Sequence, residues 1–497
     1  MDTYAVILLA AGLGSWLATP ACIRIARRLG VVDRPDLRKE HEAATPYLGG
    51  VAVLTGIAVG LVALAAAIPA RAEALAHPDE RVLVILCGAV AIFLLGLADD
   101  FRPLRARYKL LAQVAVAAFV WNAGVRFDGM PLLDGTRFDL DCAYVSLPLT
   151  VLWIVGVTNA LNLIDGLDGL ASGIGTIAAG AIAFVAFDTG NGPIAAVLAA
   201  LAAAQVGFLL HNRHPAKIFL GDAGSLLIGF LLASCAVVTA STSTSFVALG
   251  APLLALAVPL LDLLFTVLRR LIERRGIFSP DRNHIHYRLL ALGHSHARTV
   301  TMLWVESAAL TALALVLFFA DASPAQQLAT LLSVGLAHVL FFRFAGAVRL
   351  RDSLRAFHAA ALRLRQARAN QRECDGLDLL FRRARSLDDW WQAIETSARR
   401  LGCTAVSLEL PRRRGGVEAR RWQRARALQE TLLQSTVEVP DRRAGDALRV
   451  HVSVAGESLE SAANRMALLA KLLDCHPAAQ LGAAAGRVAS TPLAELA

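Results

Sequence analysis

Apolar stretches of roughly 16–25 residues recur eleven times along the chain, each long enough to cross a hydrocarbon core of about 30 Å as a helix. They lie near 4–23, 48–69, 82–98, 110–125, 145–161, 172–188, 193–210, 225–240, 246–268, 299–320 and 326–345. A backbone in lipid must satisfy its own hydrogen bonds, so such runs leave few folds open. They predict an all-α polytopic membrane protein of about eleven transmembrane helices. The loops alternate in charge. One set (24–47, 99–109, 161–171, 211–224, 269–298) holds 19 Lys and Arg, and the other holds four. Basic loops stay inside, which makes the rich set cytoplasmic. An odd number of spans then puts the N-terminus outside and the C-terminal tail in the cytoplasm.

The N-terminal run MDTYAVILLAAGLGSWLATPACI has no basic residue before it, and Arg24, Arg27 and Arg28 follow it. That order predicts a first spanning helix and not a cleaved signal peptide. With 56% hydrophobic and 18% charged residues, the chain is too apolar for an ordinary soluble enzyme. Its seven cysteines are scattered, without a disulfide framework or a CxxC metal site.

Three further segments follow the membrane part, 1–345. Residues 346–375 repeat Leu350, Leu354, Phe357, Ala361 and Leu364 at helical spacing and predict an amphipathic connecting helix. In 376–476, DDWWQAIETSARRLG and ESAANRMALLAKLL read as helices, while TAVSLEL, STVEVP and LRVHVSV read as strands, giving a small cytoplasmic α/β domain. The Ala- and Gly-rich end, 477–497, is expected to be disordered. From residue 346 on there are 25 Lys and Arg against 17 acids, so +8 of the formal +9 charge lies here. No nucleic-acid-reading pattern accompanies it. A basic module near anionic lipid is the simpler expectation, with a protein or small ligand as its partner.

Five polar clusters stand out, all in the basic-loop set. VVDRPDLRKEHEAATPYLGG carries Asp33, Arg38, Lys39 and His41, which suit a phosphate and also read as ordinary positive-inside residues. LGLADDFRPLRARYKLLAQ places adjacent Asp99 and Asp100 at the end of a span, before Lys109. Paired acids hold Mg²⁺ or share a proton, and at a span end they also simply face water. NALNLIDGLDGLASG offers Asn159, Asn162, Asp165 and Asp168, the two acids on one face if the segment is helical. LLHNRHPAKIFLGDAGSLLIG sets Asp222 between small residues at a helix start, where free N–H groups favour an anion or a metal-phosphate. RRGIFSPDRNHIHYRLLALGHS has His284 and His286 without a third ligand at zinc spacing. Carboxylates, cations and the absence of a thiolate set together suit Mg²⁺-assisted phosphoryl transfer.

On DRPDLRKEHEAATPYLGG, LADDFRPL with Lys109, NALNLIDGLDGLASG, PAKIFLGDAGS and DRNHIHYRL, in that order over residues 1–345, the chain resembles the polyprenyl-phosphate N-acetylhexosamine-1-phosphate transferases. This membrane family is shared with the translocase that makes the first lipid-linked peptidoglycan precursor. The resemblance implies transfer of a sugar 1-phosphate from a UDP-amino sugar to undecaprenyl phosphate in a bacterial inner membrane, with release of UMP. It implies Asp222 as a Mg²⁺ ligand, with Asp168 as a second and Mn²⁺ as an alternative ion. Asp99 and Asp100 become the acid pair, and Lys39 and Lys109 face phosphate. Asn162, Asp165 and Asp168 match the nucleotide and active-site loop, Asn212 and Phe219 match positions near uracil, and His284 and His286 match the histidine motif. Asp262 also follows the family pattern. The resemblance leaves a homodimer open.

Tyr287 stands where the hexosamine branch carries a third histidine, and the triple histidine of the peptidoglycan branch is missing. Tyr cannot become cationic near neutral pH, so the first departure implies altered sugar-nucleotide recognition or rate, while the missing triple histidine points to GlcNAc or a similar sugar rather than a muramoyl pentapeptide. Two other classes compete: a transporter with a regulatory tail, and a catalytically degenerate member acting as a membrane sensor or scaffold. Transporters keep ionisable residues near the midplane and show internal repeats. Here no repeat is visible and the acids cluster at the inner boundary.

Overall fold

The structure, a computed structural model, describes residues 2–33, 44–67, 80–131, 137–140, 142–242, 246–273, 284–319, 324–344, 362, 375–411, 417–424, 433–439, 448–454 and 459–477. The chain divides into two compact units, Met1–Phe357 and His358–Ala497. The connecting helix expected over 346–375, except at 362 and 375, and the tail expected over 477–497, except at 477, lie outside the described residues.

The first unit is a helical bundle. Its helices are α1 (Asp2–Leu29), α2 (Gly49–Ala67), α3 (Glu80–Phe101), α4 (Ala106–Asn122), α5 (Ala143–Ile164), α6 (Leu170–Asp188), α7 (Gly192–Asn212), α8 (Gly221–Thr242), α9 (Phe246–Ala255), α10 (Ala257–Glu273), α11 (Ile285–Ala291), α12 (His296–Phe319) and α13 (Pro324–Phe344). Among the described residues, α1, α2, α3, α5, α6, α7, α8 and α12 are long and apolar enough to cross a membrane. Large apolar side chains such as Leu9, Leu17, Val62, Leu94, Leu152 and Val305 are exposed on the unit's surface. In a membrane protein that surface meets lipid.

Eight spans thus meet the criterion where eleven were expected, and the other three differ for local reasons. The stretch 246–268 is not one helix: α9 and α10 meet at Leu256, between Pro252 and Pro259. Neither proline can donate a backbone N–H, which favours the interruption. The stretch 326–345 corresponds to α13. The third, α4, has only 17 residues. It nevertheless runs beside α5 from one side of the bundle to the other. Near its start Lys109 bonds Asp222, which also holds Asn162 from the end of α5, and near its end Trp121 Nε1 donates to Ser146 Oγ at the start of α5, 3.0 Å away.

Helix α8 is the axis of the bundle. Every residue from Ala223 to Ser241 is buried, as expected of a helix apolar all round. Asp222, in its first turn, is partly exposed, and Thr242, its last residue, is exposed. A two-residue ribbon, β1 (Val32–Asp33) with β2 (Thr45–Pro46), pairs Val32 with Pro46. It continues onto the chain before α8: Phe219 N–H donates to Pro46 O (2.9 Å), and Gly49 and Gly50 donate to the carbonyls of Phe219 and Leu220. A second ribbon, β3 (Gly129–Pro131) with β4 (Arg137–Asp139), follows α4.

The second unit holds a four-stranded antiparallel sheet in the order β6-β5-β8-β7, from β5 (Cys403–Pro411), β6 (Val417–Gln423), β7 (Leu433–Val439) and β8 (Leu448–Val454). Three strands lie where sequence alternation puts them, and β6 is an addition. Helices α14 (Leu387–Arg400) and α15 (Leu459–Cys475) supply Trp390, Ile394, Leu469 and Leu473 to a core with Val406, Leu408, Val450 and Val452. Ser386 and Asp389 form a reciprocal capping box that fixes the start of α14.

Candidate active site

Four helix ends and one loop meet at one end of the bundle: the end of α3, the start of α4, the end of α5, the 165–169 turn and the start of α8. Asp99 lies in the last turn of α3, and one of its oxygens accepts the Leu104 N–H (2.6 Å), which turns the chain toward α4. Its other oxygen lies 2.9 Å from Lys109 Nζ. The same ammonium lies 2.7 Å from Asp222, whose second oxygen accepts from Asn162 Nδ2 at 2.9 Å. Asn162 also reaches Ser225 Oγ at 2.9 Å. The Asp99 and Asp222 carboxylates are themselves within hydrogen-bond reach of each other. Lys109 is therefore the cation between two acids.

Asp100 does something different from its neighbour. Its two oxygens accept the N–H groups of Asp222 (2.8 Å) and Ala223 (3.0 Å), capping α8 from another helix. The anion site expected at the start of α8 is thus already filled, by a carboxylate of the protein. Gly221 makes this possible: its φ is +75°, and a Cβ there would stand 2.7 Å from Asp100 Oδ2.

The stretch 165–169 is a turn between α5 and α6, so Asp165 and Asp168 do not share the helical face expected for them. Asp165 follows the last residue of α5. Desolvation, then the charges of Asp222, Asp100 and Asp168, push its carboxyl well above the usual range. Asp168 is tied to the loop after α7: its Oδ2 accepts the Ala216 N–H (3.0 Å) and lies 2.8 Å from His214 Nδ1. The His214 ring stacks on His296 at 4.1 Å. Asp168, His214 and His296 offer ligand atoms within 4.8 Å of one another. Neither histidine stood out in the sequence. The only local signal was a His-Pro step beside the aspartate loop.

Asn212 is buried and makes three hydrogen bonds. It accepts from Gly169 N–H (3.0 Å) and Ser172 Oγ (3.1 Å) and donates to Ile218 O (2.9 Å), stitching the two loops together. Phe219 is half-buried, with the Tyr47 ring 6.1 Å away. Tyr47 was also missed. Its hydroxyl bonds Asp33, and burial followed by the charges of Asp33, Asp100 and Asp222 holds it in the phenol form well above its ordinary range. Lys39 lies outside the described residues.

His286, whose ring stacks on His284, reaches the same turn. Their rings are parallel (5°) at 5.8 Å, and both are buried. A Cβ on Gly166 would fall 2.5 Å from His286 Nε2 and 3.2 Å from the Tyr287 hydroxyl, so the histidine segment packs directly on the Asp165-Gly166 turn. Burial lowers the His286 pKa to about 4, with Asp262 opposing and His284 and His296 adding to the shift. It is neutral at pH 7.

The donor set tests the fit of a divalent ion. Asp99 and Asp222 offer carboxylate oxygens, supported by Asn162 and Ser225, and an ammonium already lies between them. Hard oxygen donors of this kind suit Mg²⁺ or Mn²⁺.

The profile described as glycosyl transferase family 4 matches residues 82–240, from α3 to α8. The chain is 38% identical over 291 residues to a probable undecaprenyl-phosphate N-acetylglucosaminyl 1-phosphate transferase of Bacillus subtilis, covering 58% of this chain and 78% of the relative. It is 37% identical over 359 residues to a decaprenyl-phosphate N-acetylglucosaminephosphotransferase of Mycobacterium tuberculosis, covering 68% and 88%. Similarity extends to a phospho-N-acetylmuramoyl-pentapeptide-transferase of Desulforamulus reducens, 36% identical over 328 residues, covering 61% and 93%.

Proposed function

The chain belongs to glycosyl transferase family 4, and from that premise we propose that it moves N-acetylhexosamine 1-phosphate, GlcNAc or a similar sugar, from a UDP-sugar to undecaprenyl phosphate. The carrying observation is the convergence of Asp99, Lys109, Asn162 and Asp222 at one end of the bundle. An oxygen of the lipid phosphate attacks the β-phosphorus of the donor. The bond from that phosphorus to the bridging oxygen breaks, and UMP leaves with the electron pair. The product is an undecaprenyl-pyrophosphate-sugar, the first intermediate of a cell-surface polysaccharide.

Asp99 and Asp222 are the residues that would hold Mg²⁺. When bound, the ion neutralises charge on the phosphates. Lys109 keeps the two carboxylates together and offers N–H groups to a phosphate oxygen. Asp100 holds the start of α8 and so fixes where Asp222 points. Asp165 and Asp168, on the turn held by Asn212, serve the nucleotide, and Phe219 with Tyr47 gives it an aromatic wall. Because Asp168 is bonded to the 214–216 loop, we assign it to the nucleotide and not to the metal.

The remaining geometry follows from the site. Short α4 and the broken α9–α10 pair complete eleven spans with α13, the N-terminus lies outside, and the site and the C-terminal unit face the cytoplasm of a bacterial inner membrane. Positive loop charge, and the meeting of the described parts of the five clusters at one end of the bundle, support this reading. The test is a donor carrying one label on the β-phosphorus and another on uridine. The proposal expects the phosphorus label in the lipid extract and the uridine label as UMP. A lipid product without the phosphorus label would mean transfer of the sugar alone, and would refute the reaction.

A further inference from the structure

Asp262 lies on α10, remote in sequence from the five carboxylates Asp99, Asp100, Asp165, Asp168 and Asp222, yet both of its oxygens are committed to the histidine segment. Oδ2 is 3.0 Å from His284 Nδ1, and Oδ1 accepts the Ile285 N–H at 2.9 Å. Asp262, Thr266 and His284 are all buried. Thr266, one turn further along α10, places its hydroxyl 3.4 Å from the same ring nitrogen. Two bonds from one carboxylate, to a ring and to the adjacent backbone, set both the position and the rotation of the imidazole.

We propose that Asp262 is a positioning residue for the transfer reaction, acting through His284. A carboxylate accepts but does not donate, so it selects the tautomer with the proton on Nδ1. Nε2 is then the acceptor atom left for a hydroxyl of the donor sugar. His284 stacks parallel to His286, and His286 abuts Gly166, so the orientation imposed by Asp262 is passed to the nucleotide turn. The same logic orients imidazoles in metal and hydrolase sites, where a carboxylate behind the histidine is worth roughly 10–100-fold in activity or affinity.

This inference rests on the proposed transferase reading, and its first test needs no turnover. In full-length protein in detergent, with isotope-labelled histidine nitrogens and His284→Gln for assignment, the wild type should show His284 protonated at Nδ1. Asp262→Asn, whose amide can donate to that nitrogen, should move the proton to Nε2. A wild-type ring protonated only at Nε2 would overturn the proposal whether or not any variant folds. The second test is kinetic. Asp262→Asn should lower kcat about 10–100-fold with little change in donor KM, Asp262→Glu should recover part of it, and Asp262→Asn should add almost nothing in a His284→Ala background. Equal losses in both backgrounds would mean a structural role and would also overturn it. If no donor is turned over at all, the transferase reading fails, while the tautomer still decides the Asp262–His284 relation.

Discussion

Lys109 and Asp222, 113 positions apart, meet through a 2.7 Å contact that joins the start of α4 to the start of α8. The same ammonium holds Asp99 at 2.9 Å, so one positive charge serves two carboxylates that are within reach of each other. Lys109→Met leaves those acids facing without a cation. Melting temperature in detergent should fall, and added Mg²⁺ should raise it more in the variant than in the wild type, because the ion replaces the lost charge. Turnover should drop about 10²–10³-fold, the scale seen when one preorganised donor is removed from an active site. Equal Mg²⁺ shifts in the two proteins would count against these carboxylates as the ion's ligands.

Gly221→Ala should cost more than its backbone strain. Gly221 and Gly190 both have positive φ, +75° and +79°, and an alanine at either costs roughly 1–2 kcal/mol in that conformation. At Gly190 the added Cβ meets nothing within 4 Å, whereas at Gly221 it meets the Asp100 carboxylate that caps α8. Stability should therefore fall further for Gly221→Ala, and only that variant should lose transferase activity. Similar melting curves for the two would mean that Asp100 does not brace Asp222.

Asp165 makes stability depend on pH with a definite sign. Its carboxyl is raised well above the ordinary range in the folded protein, first by desolvation and then by Asp222, Asp100 and Asp168. The unfolded chain therefore releases this proton first as pH rises. The stabilisation is complete below the unfolded carboxylate pKa and is lost as pH climbs through the folded value. Asp165→Asn removes the titration, so its melting temperature relative to wild type should increase from acid toward neutral pH. A constant difference across pH 4–8 would show that the acid is not desolvated.

The sequence exposed this site because polar residues at the ends of apolar helices are expensive unless they work together. Asp99, Asp165, Asp168, Asp222 and Lys109 were visible for that reason, and the helices because lipid demands long apolar runs. What stayed hidden was the division of labour. Asp99 and Asp100 are adjacent, but one faces Lys109 and the other caps α8, and that difference depends on packing of distant helices. Asn212 looked like a nucleotide contact and is a buried stitch. Tyr47, His214 and His296 carried no pattern of their own and gain meaning only from what they touch. Strand β6, VEARRWQ, is too polar for its alternation to announce a buried face. The broken span 246–268 was legible in Pro252 and Pro259, whose effect a plain apolar count misses.

The most direct test of the account is UMP release by purified protein in detergent, with undecaprenyl phosphate, Mg²⁺ and a panel of UDP-amino sugars, run beside Asp222→Ala. The account predicts Mg²⁺-dependent release with GlcNAc or a similar sugar and its loss in Asp222→Ala, with the variant still folded. No release with any donor, or undiminished release by Asp222→Ala, would contradict it.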